Sequence, residues 1–414
     1  MTIQAVKPTE TPEPAAPSAP VSVAQAEKAR RHLHYVDIVR VLTVALVVAV
    51  HVLAFEPIAP TLTAGALLTM THVSREVFFL LTAYVLSIGY QDRVSVRWLS
   101  FWRKRYLFVV VPYVVWTAVY FLADQPALRP FGSALHAIGY DLLTGAARYH
   151  LYFLLVSMQI YLVFPLLRGL VRITRRRHGM VLAGCAIFQL LFYTAVQRGW
   201  SLGPLTGWLR HPDALLPSYL GFVVAGCVAA SHQDALLAWT RAHLGRVLVG
   251  CAATLALGVG VFLAQVRWGG QPILLASDVF QPVVVLESVA VTWAFLAAGL
   301  IWQDHGRPGR RAARAGADAS FGVYLAHPLL LQGLLMVSAT TGLTALARHQ
   351  PSIVVIVVEM VVAVPVLYGL SALLATLARR TPASLPLTGR ARRATPHRRI
   401  TSNRPIGSNS GGTS

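Results

Sequence analysis

The feature that most constrains this chain is a series of apolar runs, each close to 20 residues long and almost free of charge. A helical run of this length matches the hydrocarbon thickness of a bilayer, because each residue advances the helix by about 1.5 Å. Hydrophobic residues make up 55% of the chain and charged residues only 13%, whereas a soluble protein needs about a quarter of its residues charged. The sequence therefore predicts an all-α, polytopic transmembrane helix bundle.

About ten such runs can be placed along the chain. They predict transmembrane helices at residues 36–55, 73–91, 106–123, 150–170, 179–197, 214–231, 245–265, 283–301, 320–341 and 353–378. Pro and Gly interrupt the apolar residues in three other segments, which are predicted as loops or interfacial pieces: 56–72, 125–149 and 268–282.

The two ends of the chain lack apolar periodicity. Residues 1–34 are rich in Pro and Ala, and residues 381–414 are rich in Arg, Ser, Pro and Gly. Such compositions cannot bury enough apolar surface to order a segment. We therefore predict a disordered arm at 1–34, a transmembrane domain at 35–380 and a disordered basic tail at 381–414.

Basic residues are divided unequally between the two sides that the predicted helices define. Of the 36 Lys and Arg, 28 fall in the N-terminal arm, the even-numbered connections and the tail, seven fall in the odd-numbered connections, and Arg40 lies inside the first run. Because cytoplasmic segments carry the excess of Lys and Arg, both termini are predicted to be cytoplasmic. The net charge of +20 is explained by this topology, or in the tail by contact with anionic lipids, and no nucleic-acid partner is predicted.

Ionisable residues are costly in hydrocarbon, so those in the first run are functional candidates. Arg40 and His51 are 11 positions apart, which places both on one stripe of a helix, about 16 Å apart along its axis. The predicted orientation puts Arg40 toward the cytoplasm and His51 toward the outside. The structural alternatives are an Arg40–Asp37 pair at the headgroups and a His51 that is satisfied in the core. In the functional interpretation, Arg40 and His51 lie along a path through the membrane.

The Arg–ten residues–His spacing and four later segments, taken in order, resemble the acyltransferase-3 family of integral-membrane acyltransferases. The segments are SREVFFLLTAYVL at 74–86, FWRKRYLFVVVPYVVW at 101–116, YHLYFLLVSMQIYLVFPLL at 149–167 and SFGVYLAHPLLL at 320–331. The resemblance implies transfer of an acyl group from cytoplasmic acyl-CoA, acetyl-CoA in the first instance, to an acceptor outside. The chain departs from the family pattern at Phe108, where many members carry a second Arg, and this departure bears on donor binding.

The resemblance also suggests residues for the reaction. His51 is predicted to be the general base that takes the proton of an acceptor hydroxyl, and Glu76 to orient its imidazole. His150 is predicted to contact the acceptor. Donor contacts are predicted for Arg40, Arg103, Lys104, Arg105 and His327.

Structural alternatives remain open for several of these residues. Glu76 is adjacent to Arg75 and pairs with it in the alternative interpretation. His150 is then an interfacial histidine. In the same way, His327 satisfies backbone groups that the following proline, Pro328, leaves without a partner.

Two other classes of protein compete with the enzyme. A transporter or flippase that exports a polysaccharide or lipid-linked intermediate is the main alternative, although no internal repeat is visible. A purely structural membrane protein leaves the buried ionisable residues, including Glu287 and Glu359, without explanation.

No metal and no permanently bound cofactor is predicted, because the three cysteines fall inside apolar runs without metal-ligand spacing. The predicted partners are the bilayer of the plasma membrane, acyl-CoA, and a glycan, lipid or small-molecule acceptor outside.

Overall fold

The computed structural model describes residues 33–54, 61–91, 93–124, 130–201, 203 and 211–392. Within these ranges the regular elements are all helices, which confirms the predicted fold class. Nine helices in the described part of the chain are long and apolar enough to cross a membrane, or ten if one bent pair counts as a span. The predicted arm before residue 33 and the tail after residue 392 lie outside the described residues.

We number the helices α1 to α17 along the chain. The first eight are α1 (His34–Ala54), α2 (Leu62–Thr71), α3 (Ser74–Tyr90), α4 (Trp98–Ala123), α5 (Phe131–Thr144), α6 (Tyr152–Ile173), α7 (His178–Gln197) and α8 (Leu220–Ser231). The others are α9 (Gln233–Ala242), α10 (Leu244–Arg267), α11 (Ile273–Ala276), α12 (Val283–Asp304), α13 (Arg310–Thr340), α14 (Leu343–Arg348), α15 (Ser352–Val358), α16 (Val364–Ala378) and α17 (Ser384–Thr388).

The predicted sixth span, 214–231, is broken in the structure. Two 3₁₀ turns at Pro212–Ala214 and Leu216–Tyr219 precede α8, which is only 12 residues long. The segment Leu216–Ser231 then bends by 89° into α9. Proline at the start of each 3₁₀ turn removes a backbone donor, so an α-helix cannot run through this segment without interruption.

Two segments predicted as loops or interfacial pieces contain substantial helices. Much of 56–72 is α2, which joins α3 to give an apolar stretch of 29 residues, Leu62–Tyr90. Within 125–149, α5 has no buried residue. Pro130 and Gly145 lie at the two ends of α5, whereas Gly65 lies inside α2.

Small residues allow the closest contacts between helices. On α8, a Cβ added to Gly226 would lie 2.2 Å from the Leu80 carbonyl oxygen of α3. On α13, a Cβ added to Gly322 would lie 2.5 Å from the Ala375 Cβ of α16. Glycine at such contacts lets helix backbones approach closely, as in other membrane bundles. Close contacts therefore join α3 to α8 and α13 to α16.

The sequence predicts a disordered tail from residue 381, but the chain remains ordered beyond this residue. After α16 it turns back, forms α17, and is described as far as Arg392. The helix α17 packs against α4 and α13. Its sequence, Ser-Leu-Pro-Leu-Thr, is too short to show a periodic pattern, which explains why this helix was not predicted.

Candidate active site

Three histidines from distant parts of the sequence meet in the interior of the bundle. The His51 ring on α1 stacks on the His327 ring on α13, with centroids 5.2 Å apart and an interplanar angle of 26°. His150, in the turn before α6, meets the His327 ring edge to face at 5.5 Å. The ring of Tyr149 lies 4.4 Å from the ring of His51. The structure thus brings together three residues predicted for the site, here called the histidine cluster (His51, His150 and His327).

Two members of the cluster are shielded from solvent, and the third, His51, is partly exposed. His327 is fully buried and His150 is 3% exposed. Burial, together with the neighbouring His327 and His51, holds the pKa of His150 well below its usual range. This imidazole is therefore neutral at physiological pH. In the described part of the chain, no group of three or more His, Cys, Asp or Glu is arranged to hold a metal ion.

Pro328 determines which nitrogen of His327 carries its hydrogen. Pro328 has no N–H, so the Tyr324 carbonyl four residues earlier loses its helical donor. His327 Nδ1 lies 2.8 Å from that oxygen and 3.1 Å from the Val323 oxygen. Since a carbonyl can only accept, Nδ1 carries the hydrogen and Nε2 keeps the lone pair. Nε2 is buried, and it has no hydrogen-bond partner among the described residues.

The His327 geometry corresponds to the structural alternative predicted from the sequence, but it does more than satisfy the backbone. The imidazole compensates for the proline through one nitrogen and presents a buried acceptor in the cluster through the other. The donor contact predicted for His327 stays a prediction. His327 lies beside His51, the residue predicted to be the general base.

Two tyrosines hold the parts of the cluster in place. The Tyr120 hydroxyl on α4 donates to the Leu325 carbonyl on α13 at 2.7 Å. The Tyr324 hydroxyl on α13 donates to the carbonyl of His150. These bonds tie α13 to α4 and to the turn before α6, so the relative positions of His150 and His327 are constrained by more than ring packing.

A cavity of about 350 Å³ lies beside the cluster and is here called the outer cavity. Its walls combine aromatic surface with a few charged and polar groups. They include His51, His72, Arg75, Phe78, Tyr149, His150, Phe153 and Asp213. Convergent polar groups on a mostly apolar wall are typical of a small-molecule site. Tyr149 and Asp213 come from connections between helices and were not predicted from the sequence. Arg75 was predicted only as a partner of Glu76.

Glu76 is fully buried, and its hydrogen bonds go to other groups than His51. Its Oε1 accepts from Arg75 at 2.9 Å and from the Tyr193 hydroxyl at 2.8 Å. Its Oε2 has no hydrogen-bond partner in the described ranges. The contacts therefore support the alternative interpretation, a buried Arg75–Glu76 pair, and no contact carries the orienting role predicted for Glu76. The pair instead fixes Arg75 in the wall of the outer cavity.

A second cavity of about 260 Å³, here called the inner cavity, lies at the Arg40 end of α1. Three arginines line it: Arg40 from α1, Arg105 from α4, and Arg390 from the segment after α17. Phe108 also lies in its wall. Thus the two residues of the predicted α1 stripe lie in different cavities, with Arg40 in the inner one and His51 in the outer one.

The two cavities meet at a pair of aromatic rings. Phe78 on α3 and Phe153 on α6 line both of them. The two rings pack edge to face with centroids 4.6 Å apart. A ligand that extended from the arginines to the histidine cluster would therefore pass along Phe78 and Phe153 and displace one ring from the other.

The three residues of the predicted basic cluster on α4 do not all face the inner cavity. Arg105 is half-buried, lines the inner cavity, and lies over the Tyr161 ring at 5.7 Å. Arg103 and Lys104 are exposed. Adjacent residues on a helix point in directions about 100° apart, so a run of three basic residues cannot enter one cavity together.

Two other buried carboxylates lie away from the histidine cluster. Glu287 on α12 packs against Gly258 on α10, where an added Cβ would lie 1.8 Å from Glu287 Oε1. Glu359 lies in the π-helical turn between α15 and α16. Neither residue lines the outer cavity described above.

Comparison with known proteins identifies the kind of chain to which this site belongs. The acyltransferase-3 family model, described as an acyltransferase domain, matches residues 33–374. No curated protein and no solved structure matches the chain significantly. The matched region includes every element that contributes to the histidine cluster, but it ends before α17 and Arg390.

Proposed function

This chain belongs to the acyltransferase-3 family of membrane acyltransferases, and we propose that it carries an acyl group from cytoplasmic acyl-CoA to a hydroxyl group on the opposite side of the membrane. Acetyl-CoA is the simplest donor, used as a substrate rather than as a bound cofactor. The acceptor is a glycan, a lipid or a secondary metabolite outside the cell. The proposed location is the plasma membrane.

The observation that carries this proposal is the meeting of the two cavities at Phe78 and Phe153. One cavity is lined by cations and the other by histidines. The groups of acyl-CoA follow the same order as the two cavities. Its phosphates lie at one end and its thioester at the other, and a flexible arm separates them. A donor with its phosphates at the arginines would point its thioester toward the histidine cluster.

Arginine suits the donor end of such a path. Its planar guanidinium binds phosphate through paired, charge-assisted hydrogen bonds. Arg40 and Arg105 line the inner cavity from two different helices, so they can bind a phosphate group from two sides. The aromatic wall of the junction suits the less polar part of the donor.

Histidine suits the reaction at the other end. In the proposed mechanism, a neutral His51 accepts the proton of the acceptor hydroxyl as its oxygen attacks the thioester carbonyl carbon. The carbon–sulfur bond then breaks, and CoA leaves as a thiolate. The proton on His51 passes to this thiolate, so the products are the acyl ester, CoA and an unchanged imidazole.

The alternative function, export of a polysaccharide or lipid-linked intermediate, would draw support from a broken helix near the middle of the membrane. The bent pair α8 and α9 is the one candidate for such a break in the described part of the chain. However, the two proposed substrate cavities are lined by residues of other elements, including α1, α3, α4, α6 and α13. The histidine cluster therefore favours the enzyme.

Transfer of label tests the function directly. Purified protein in liposomes is incubated with acetyl-CoA labelled in the acetyl group and with a cell-envelope extract, and the labelled products are identified. We expect label in an ester that is sensitive to mild alkali. If a range of acyl-CoA donors leaves all label on CoA while the protein moves an envelope component across the bilayer, export is the correct function.

Arg105 should contribute more to donor binding than its two basic neighbours. Arg105→Gln is expected to raise the KM for acyl-CoA by about tenfold, because a hydrogen bond to a charged group contributes about 1.5–3 kcal/mol. Arg103→Gln and Lys104→Gln are matched controls, since both residues are exposed, and their KM values should stay within about twofold of the parent. Equal effects of all three substitutions on steady-state kinetics would mean that the run acts only through its total charge.

A further inference from the structure

The segment that follows the last transmembrane helix turns back into the bundle. It is here called the C-terminal hook (residues 383–392). The Trp116 indole of α4 donates to the Leu387 carbonyl at 3.3 Å. The Ser384 hydroxyl donates to the Arg390 carbonyl at 2.8 Å, which closes the hook on itself. Ser384 and Thr388 are buried, so the hook is part of the packed structure.

Gly389 ends the helix α17 inside the hook. Its φ of +59° lies in the left-handed region, which favours glycine. An added Cβ would also lie 2.3 Å from the Phe321 ring and 2.9 Å from the Phe108 carbonyl oxygen. No larger residue fits there without movement of the backbone. This close contact delivers the next side chain, Arg390, to the inner cavity.

Arg390 joins Arg40 and Arg105 in lining the inner cavity. Its Nη1 lies 2.9 Å from Asp318 Oδ1, and its side chain remains one-third exposed. The cation therefore has a partner but still has access to the cavity. Three guanidinium groups around one small cavity repel each other unless an anion is bound between them.

The hook also brings charge to a part of the inner cavity that α4 leaves apolar. Phe108 lines the cavity there and brings no charge to its wall. The hook packs against the Phe108 carbonyl. Arg390 thereby brings a cation to the same region from the other end of the chain.

We propose that the C-terminal hook completes the donor site and that Arg390 binds a phosphate group of acyl-CoA. This inference rests on the proposed function, because it needs acyl-CoA as the donor. It extends the site beyond the family-matched region, which ends at residue 374. Phosphate in a lipid headgroup has the same chemistry as phosphate in CoA, so the test must separate the two.

The test measures binding of labelled acetyl-CoA to the full-length protein in phosphatidylcholine vesicles, without acceptor. Arg390→Gln is expected to raise the Kd by about tenfold. Arg392→Gln is the matched control, because Arg392 is exposed and its Nε donates to the Arg380 carbonyl; its Kd should stay within about twofold of the parent. Arg390→Lys keeps the charge and should lose less affinity than Arg390→Gln.

Asp318→Asn separates ligand binding from a structural role. If Arg390 only anchors the hook through Asp318, this substitution should weaken acetyl-CoA binding as much as Arg390→Gln does. If Arg390 binds phosphate, loss of the competing carboxylate should leave the Kd unchanged or lower it. The first result, or an unchanged Kd in Arg390→Gln, would overturn the proposal.

Two further arms complete the design. The same titration in vesicles with anionic lipid shows whether headgroups occupy Arg390; a tenfold effect that appears only there would assign the residue to lipid and overturn its role in donor binding. Absence of acetyl-CoA binding by the parent protein would overturn the proposed function together with this inference. If the parent protein binds acetyl-CoA and Arg390→Gln has the same Kd, the inference about the hook is overturned and the proposed function is not.

Discussion

His51→Ala is expected to lower the kcat of acyl transfer by about 10²–10⁴-fold, the usual contribution of a general base. The imidazole lies in the outer cavity, stacked on His327 and next to Tyr149. The inner cavity is lined by other residues, so binding of acetyl-CoA phosphates should persist. The measurement is steady-state transfer of labelled acetyl, combined with the Kd for acetyl-CoA.

The control for this variant is His136→Ala, which removes an exposed imidazole from α5 and should leave kcat unchanged. The same role requires a neutral ring, because a protonated imidazole has no lone pair. Activity of the parent protein should therefore fall as the pH is lowered. Near-normal turnover by correctly folded His51→Ala protein would exclude His51 as the base and make export the better interpretation.

His327→Asn is expected to lower kcat by about 10–100-fold and to leave the protein folded. The amide N–H of asparagine can replace Nδ1–H as the donor to the Tyr324 carbonyl, so the compensation for Pro328 is kept. The substitution removes only the Nε2 lone pair. That lone pair accepts hydrogen bonds and cannot stabilise an oxyanion, so we expect it to bind an O–H or N–H donor beside His51.

Thermal stability and kcat together distinguish the two roles of His327. A purely structural histidine would give a normal kcat in His327→Asn. His327→Gln places its amide near the Nε2 position and leaves the Tyr324 carbonyl without its donor, so it should unfold at a lower temperature than His327→Asn. If both variants lose stability equally and keep full turnover, Nε2 has no part in the reaction.

Much of the fold can be predicted from the sequence, because the length of an apolar run is a local property. The first span and the ionisable residues Arg40 and His51 follow from residues within one helix. The bend between α8 and α9 could not be predicted in the same way. The only proline in the predicted run 214–231, Pro217, precedes α8 rather than marking the bend, and hydrophobicity alone does not show where a helix stops.

The candidate site is less predictable, because it depends on contacts between distant segments. The local role of His327 toward its backbone follows from the next residue, Pro328, and the structure shows the bond. The meeting of His327 with His51 depends on how α13 packs against α1, for which one sequence holds no signal. Arg390 could not be predicted as a site residue. Its position depends on the preceding helix α17, and a helix of five residues shows no periodicity in the sequence.

The aromatic pair Phe78 and Phe153 has a consequence for the energy of the cell. A continuous file of water between the two mouths would let protons leak across the bilayer, and each charge that crosses dissipates about 2.3 kcal/mol per 100 mV of membrane potential. The two cavities are separate volumes that meet at these packed rings. If the proposed function is correct, an enzyme built in this way would insulate the membrane electrically while an acyl group is transferred between its two sides.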